Sequence, residues 1–283
     1  MTGEVGHRSP GERPRPRLVA TDLDGTLLDA EGRVSPRTRE VIAAVEQLGV
    51  PVVFVTGRPI RWMEQLWESV GGHGLAICSN GGIVYDVATH SVRTAHPIAS
   101  DVLVEVGQTL RRAVPGTTFA LEKTGGFARE AGFLPRRATS ALPEVPTGPL
   151  EQIADDTVVK LLARHEEIAP EEFWTVVEEA VGTRVTTTWS SVGALVEMSA
   201  AGVTKATTLA RLCADLGVAP EEVVAFGDMP NDLPLLAWAG SSYAMANAHP
   251  TVIALADHTA PAHHEDGVAE TLSAIFGLGP GSG

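Results

Sequence analysis

The chain has 283 residues, a formal net charge of −14, 44% hydrophobic residues and 20% charged residues. That length suits a core plus an insertion, or two domains, and the apolar fraction fills a sizeable core rather than leaving a disordered chain. An acidic surface repels nucleic-acid phosphates and anionic membranes, and no apolar run is long enough to span a bilayer.

Residues 1–16 hold Gly, Pro, Arg and Glu without an apolar stretch, and are read as a disordered tail rather than a signal peptide. Leu18 to Asp22 is a short apolar run that ends in acid, which reads as a buried strand. Ser35 and Pro36 are an N-cap and first-turn pair. Val41, Ile42, Val45 and Leu48 then share one helical face, and Gly49 ends it. Pro51 to Val55 and Leu75 to Cys78 are further strands, with a helix expected from Pro59 to Val70 between them. Strand–helix–strand alternation predicts a parallel sheet with helices on both faces.

From about Asp86 to Glu197 the rhythm changes. A helix and a strand precede a Gly/Pro-rich stretch from Thr124 to Pro149. Strands follow at 157–163, 183–188 and 194–198, with one helix among them. This predicts an inserted α+β unit with an antiparallel sheet. After Gly202 the first rhythm returns: helix 203–216, strand 222–226, helix 231–239, strand 242–245 and helix 267–276. The expected fold is α/β: a Rossmann-like parallel-sheet core over 17–85 and 198–277, a cap over 86–197, and a loose tail over 278–283. Cys78 and Cys213 lack metal-ligand spacing and read as buried, reduced thiols of a cytoplasmic protein.

Four features converge on one kind of site. Asp22 and Asp24 lie two apart at the end of the first strand, so they face the same way and repel unless a cation or proton separates them. Gly25 permits the sharp turn beyond them. Gly227-Asp228-Met-Pro-Asn231-Asp232 ends a second apolar strand in acid. Two such strand ends meeting without histidine suit a hard, oxygen-ligated ion such as Mg2+. Thr56, Gly57 and Arg58 set a hydroxyl and free amides before a helix, a ready anion cradle. Lys205 opens a helix, where the dipole disfavours a cation, and a bound phosphate removes the conflict. Together these supply a nucleophile, a second acid, a hydroxyl, a lysine and metal-binding acids, the parts that hold and transfer a phosphoryl group.

In these four motifs the chain resembles the haloacid dehalogenase superfamily, and most of all its Cof-type phosphatases, which insert a large cap between the second and third motifs. Ser79-Asn80-Gly81-Gly82, the segment around Asn247, and Glu265-Asp266-Gly267 strengthen the resemblance, while His263-His264 departs from it. The resemblance implies Asp22 as the nucleophile that becomes an aspartyl-phosphate, and Asp24 as the general acid and base. It implies Mg2+ on Asp22, Asp228 and the backbone of Asp24. Thr56, Gly57, Lys205 and Asn231 are then phosphate ligands, with Arg58, Asn80, Asp232 and Asn247 in support. The expected substrate is a small phosphorylated metabolite, acted on by a monomer or homodimer with no nucleic-acid or membrane partner. A phosphomutase and a non-catalytic phospho-aspartate receiver are the rival readings.

Overall fold

The computed structural model describes residues 15–67, 72, 74–133, 144–189 and 193–279. Of the two expected tails, residues 1–14 and 280–283 lie outside the described residues, as does Val70, where the second helix was expected to end.

The chain opens with β1 (Leu18–Thr21), α1 (Pro36–Gln47), β2 (Val52–Val55), a short α2 (Glu64–Trp67), β3 (Leu75–Cys78), and a hairpin of β4 (Ile83–Asp86) and β5 (Ser91–Ala95). The second unit follows as α3 (Ser100–Ala113), β6 (Thr118–Lys123), β7 (Gly126–Arg129), α4 (Leu150–Ile153), β8 (Val158–Arg164), α5 (Pro170–Val181), β9 (Val185–Thr188) and β10 (Leu195–Ala200). The chain then returns with α6 (Lys205–Leu216), β11 (Val223–Gly227), α7 (Leu233–Trp238), β12 (Ser241–Met245), α8 (Pro250–Leu255), β13 (His258–Ala260) and α9 (Gly267–Phe276).

Among the described residues the first sheet runs β13-β12-β11-β1-β2-β3-β4-β5. It is parallel from β13 to β3, and the β4–β5 hairpin adds an antiparallel edge. β1 is central, and Leu18, Val19 and Ala20 are all fully buried. Burying Leu18 or Val19 contributes about 1.5–3 kcal/mol each. Buried on both faces, β1 reads as a continuous apolar run, as parallel strands do. α1 starts where Ser35 Oγ accepts from Thr38 N at 3.0 Å, and packs against α9.

The second sheet is antiparallel, in the order β7-β6-β8-β10-β9. One of its faces carries α3 and α5. There Leu103, Val106 and Leu110 meet Phe173 and Val177 over Phe119, Leu121, Leu161, Ala163, Val196 and Met198. The intervening strand residues include Glu122, Lys160 and Glu197, and side chains that alternate along a strand point to opposite faces. These three charged residues are nevertheless buried, at 3%, 2% and 9% exposure. What covers them is the first unit.

Strand pairing places the junctions differently from the expected 86–197. Residues 87–90 turn the β4–β5 hairpin of the first sheet instead of leading into the cap, because β5 finds its partners on β4. At the other end β10 runs on to Ala200 within the cap sheet. β7, β13 and α8 were not anticipated. Each is short, and β7 sits inside the stretch read as Gly/Pro-rich loop.

Candidate active site

The parallel strands deliver their carboxyl ends to one edge of the first sheet, the usual place for a site in an open α/β sheet. Asp22 follows β1 directly, and its N–H donates to Phe226 O on β11 at 3.1 Å. The loop then turns at Gly25, with φ 73°. A Cβ there would stand 2.3 Å from Asp228 Oδ2, so only glycine lets Asp228 come this close to the first loop. Thr26 Oγ1 donates to Asp228 Oδ1 at 3.1 Å.

Lys205 lies at the first turn of α6 and is 1% exposed. Its Nζ donates to Asp22 Oδ1 at 2.6 Å and to Asp232 Oδ1 at 2.7 Å. The other oxygen of Asp232 accepts from the N–H groups of Asp228 and Met229 at 3.1 and 3.2 Å. Asp232 is therefore committed to holding Lys205 and the Asp228 loop. Burial alone would lower the Lys205 ammonium, but the Asp22 and Asp232 carboxylates outweigh it and hold it raised. Asp22 is raised well above the usual carboxylate range, first by burial and then by Asp232 and Asp228, against the pull of Lys205. Burial, with Asp232 beside it, pushes Asp228 up to about 7.

Carboxylate oxygens of Asp22, Asp228 and Asp232 lie within 4.8 Å of one another. With Asp232 already satisfied, Asp22 and Asp228 are the carboxylates available to a cation. Their hard oxygen chemistry, and the raised values that mark crowded negative charge, fit a divalent ion. Asp24 adds no carboxylate to this cluster. Its two carboxylate oxygens accept from Arg58 Nε and Nη2, at 2.8 and 2.5 Å. Asp24 is more exposed than its partner, at 59% against 21% for the side chains.

Two of the three amides of the expected anion cradle are taken up within the protein, since Thr56 N donates to Ile77 O at 2.8 Å and Arg58 N to Thr56 Oγ1. Thr56 is 1% exposed, and its Oγ1 accepts from Arg58 N at 3.0 Å. Gly57 packs so closely that a Cβ would sit 3.0 Å from Asn80 Oδ1. Ser79, Asn80 and Gly81 hold successive φ values of 53°, 57° and 105°. Left-handed backbone at a non-glycine costs about 1–3 kcal/mol per residue and gathers at functional sites. Here it aims the Asn80 side chain between the two units. Asn80 Nδ2 donates to Glu197 Oε2 at 2.5 Å and to Thr188 Oγ1 at 3.1 Å, while its Oδ1 accepts from Asn231 Nδ2 at 3.3 Å. Asn231 thus meets Asn80, and Asp232 is the residue that holds Lys205.

Asn247 Nδ2 donates to Gly25 O at 2.8 Å, which pins the first turn. The departure at His263 has a purpose of its own: its N–H donates to Asn247 Oδ1, and its ring Nδ1 bonds Leu28 O at 2.8 Å. Thr188, Lys160 and Glu197 touch this site without having been singled out for it. For Lys160 and Glu197 a signal existed. Each is a lone charge inside an apolar strand, and a buried charge requires a partner.

The family model of haloacid dehalogenase-like hydrolases matches residues 19–272. The chain is 30% identical over 261 residues to the 5-amino-6-(5-phospho-D-ribitylamino)uracil phosphatase YcsE of Bacillus subtilis, covering 90% of this chain and 94% of that one. It is 26% identical to the pyridoxal phosphate phosphatase YbhA of Escherichia coli, covering 90% and 97%. In fold it matches SMU.1108c from Streptococcus mutans with a TM-score of 0.80 at 19% identity, over 93% of this chain and 99% of that one. The sheet order and the acid-bearing strand ends define an α/β phosphoryl-transfer enzyme with a cap. The chain belongs to the haloacid dehalogenase-like hydrolases, as a Cof-type phosphatase that hydrolyses phosphoric monoesters.

Proposed function

We propose that this chain is a Mg2+-dependent cytoplasmic phosphatase that hydrolyses a small phosphorylated metabolite through an aspartyl-phosphate on Asp22. The observation that carries this reading is the placement of Asp22. It is a buried carboxylate at a strand end, with one oxygen on Lys205 and Asp228 beside it, and a second acid two residues on.

Asp22 attacks phosphorus as the bond to the leaving oxygen breaks, and Asp24, released from Arg58, gives that oxygen a proton. A water then attacks the aspartyl-phosphate, Asp24 takes its proton, and the Asp22 carboxylate is restored. The Thr56 hydroxyl, the Gly57 N–H and Lys205 hold the transferring oxygens. Mg2+ on Asp22, Asp228 and the Asp24 carbonyl would neutralise the repulsion between carboxylate and phosphate.

The two relatives named above act, by their names, on phosphate esters of ring compounds. Both compounds therefore belong in the test, which is release of inorganic phosphate from a metabolite panel with Mg2+. Release without any bisphosphate activator supports the reading. Transfer to a sugar with no free phosphate would make the chain a mutase, and durable phospho-aspartate without turnover would make it a receiver.

A further inference from the structure

Three carbonyls of the phosphate loop are all occupied. Asn80 N–H donates to Thr56 O at 3.1 Å, Ser79 N–H to Arg58 O at 3.0 Å, and Lys160 Nζ to Gly57 O at 2.6 Å. Two of these donors belong to the neighbouring loop of the same unit. The third comes from β8 of the cap, 103 residues away in sequence. Lys160 is itself buried and held by Glu197 Oε2 at 3.0 Å, the same oxygen that receives Asn80 Nδ2.

In a trans peptide the C=O and the following N–H point in opposite directions. Fixing Gly57 O therefore fixes the direction of Arg58 N–H, which lands on Thr56 Oγ1. A hydroxyl that accepts this bond keeps its own hydrogen to donate elsewhere. We infer that Lys160, steadied by Glu197, is a positioning residue for phosphate transfer: reaching from the cap, it fixes the Gly57 carbonyl and so aims the Thr56 hydroxyl at the phosphoryl group. The inference rests on the proposed role of Thr56 as a phosphate ligand. The cradle is then complete only while the cap is seated, since lifting β8 takes the donor away from Gly57.

The test uses acetyl phosphate, whose leaving group is too small to exploit cap contacts, with the full-length protein and Mg2+. Lys160→Met should lower kcat/KM by roughly 10–100-fold, mostly through kcat, as expected for a residue acting through a preorganised donor. In a Thr56→Val background the same change should cost less than about 3-fold, because groups acting as one unit are not additive. Glu122→Gln, which weakens a different cap–core ion pair, serves as the control and should lose little. If Lys160→Met does not fold, Lys160→Met/Glu197→Gln, which buries no lone charge, carries the same comparison. Equal losses in both backgrounds, a loss seen only with bulky substrates, or an equal loss in Glu122→Gln would each overturn the assignment.

A wild-type protein that hydrolyses no phosphomonoester would end the proposed function, yet the relay would still be readable. Hydrogen exchange of the Arg58 amide should quicken in the double variant and not in Glu122→Gln. Unchanged exchange would refute the relay on its own.

Discussion

Asp22 and Asp232 share one ammonium, Lys205, and a third buried carboxylate, Asp228, crowds against them. Removing one negative charge from such a group relieves crowding, as strained active sites often show. Asp22→Asn should therefore abolish turnover while leaving the melting temperature equal or higher, a pairing checked by calorimetry beside a phosphate-release assay. A fall in melting temperature would mean that the Lys205 pair matters more than the crowding. Asp24→Asn should slow turnover by roughly 10²–10⁴, the usual worth of a general acid or base.

Asp228 gives a pH dependence. Its folded value of about 7 lies above the ordinary carboxylate value of 3.8. Its contribution to stability is thus fully present below about 3.8 and is lost as pH rises through about 7. The metal-free protein should lose stability across that window. Mg2+ at the proposed site would bind the ionised form, so it should restore stability there and bind more tightly as pH rises. Melting curves with chelator and with Mg2+ from pH 5 to 8.5 would check both signs. Gains from Mg2+ that do not grow with pH would remove Asp228 from the ligand set.

At the scale of elements, the phosphate loop depends on the turn after β3. Gly81 has φ 105°, and a Cβ would meet Thr204 O at 2.3 Å and Thr208 Oγ1 at 2.9 Å, pressing on the N-terminus of α6. Gly81→Ala should destabilise by roughly 2–4 kcal/mol, from left-handed strain and overpacking together. Urea unfolding would measure it, and a loss below about 1 kcal/mol would show that the turn yields.

The same elements show how far the sequence could be read. β1, β2 and β11 were legible because apolar runs ending in Asp or Thr mark buried strands that lead into loops. Asp22, Asp24, Thr56 and Asp228 drew notice as polar groups at those ends, and Lys205 as a cation at the start of α6; the structure brings Asp22, Lys205 and Asp228 together, and their roles are those of the proposed mechanism. The β4–β5 hairpin was not, since β5 is almost wholly exposed and carries no burial pattern. Nor was Lys160's bond to Gly57, which needs two sheets to face each other. Local spacing says nothing about that.

At the scale of the whole molecule, three groups of contacts among the described residues join the cap to the first unit. Arg61 of the first unit pairs with the buried Glu122, at 2.5 and 3.0 Å, and lies over the Phe127 ring at 4.6 Å. Asn80 and Gly57 meet Glu197 and Lys160 near the middle. Trp189 meets His249 edge to face at 6.3 Å, and the His249 N–H bonds Asp228 O. In the proposed mechanism the loops of the first sheet handle phosphate, which every candidate substrate shares, so choice among leaving groups would fall to the cap. Exchanging residues 96–200 for the cap of a related phosphatase should reorder a metabolite panel while Asp22 still takes up phosphate. Acetyl phosphate should change least. An active chimera with the parent's ranking would place specificity elsewhere.

The insertion also sets the order of events during synthesis. β1 pairs with β2 on one side and β11 on the other, yet the chain must add some 205 residues, the separation of Arg17 and Glu222, before β11 exists. At roughly 5–20 residues per second, that leaves one edge of the central strand unpaired on the ribosome for on the order of 10–40 s. The cap has its own core and is complete well before then, so it should fold first. β1, which leads into Asp22, waits as an open, largely apolar edge, the kind that invites pairing with other chains. A nascent chain stalled before Val223 should therefore recruit chaperones or aggregate, while its cap already resists protease.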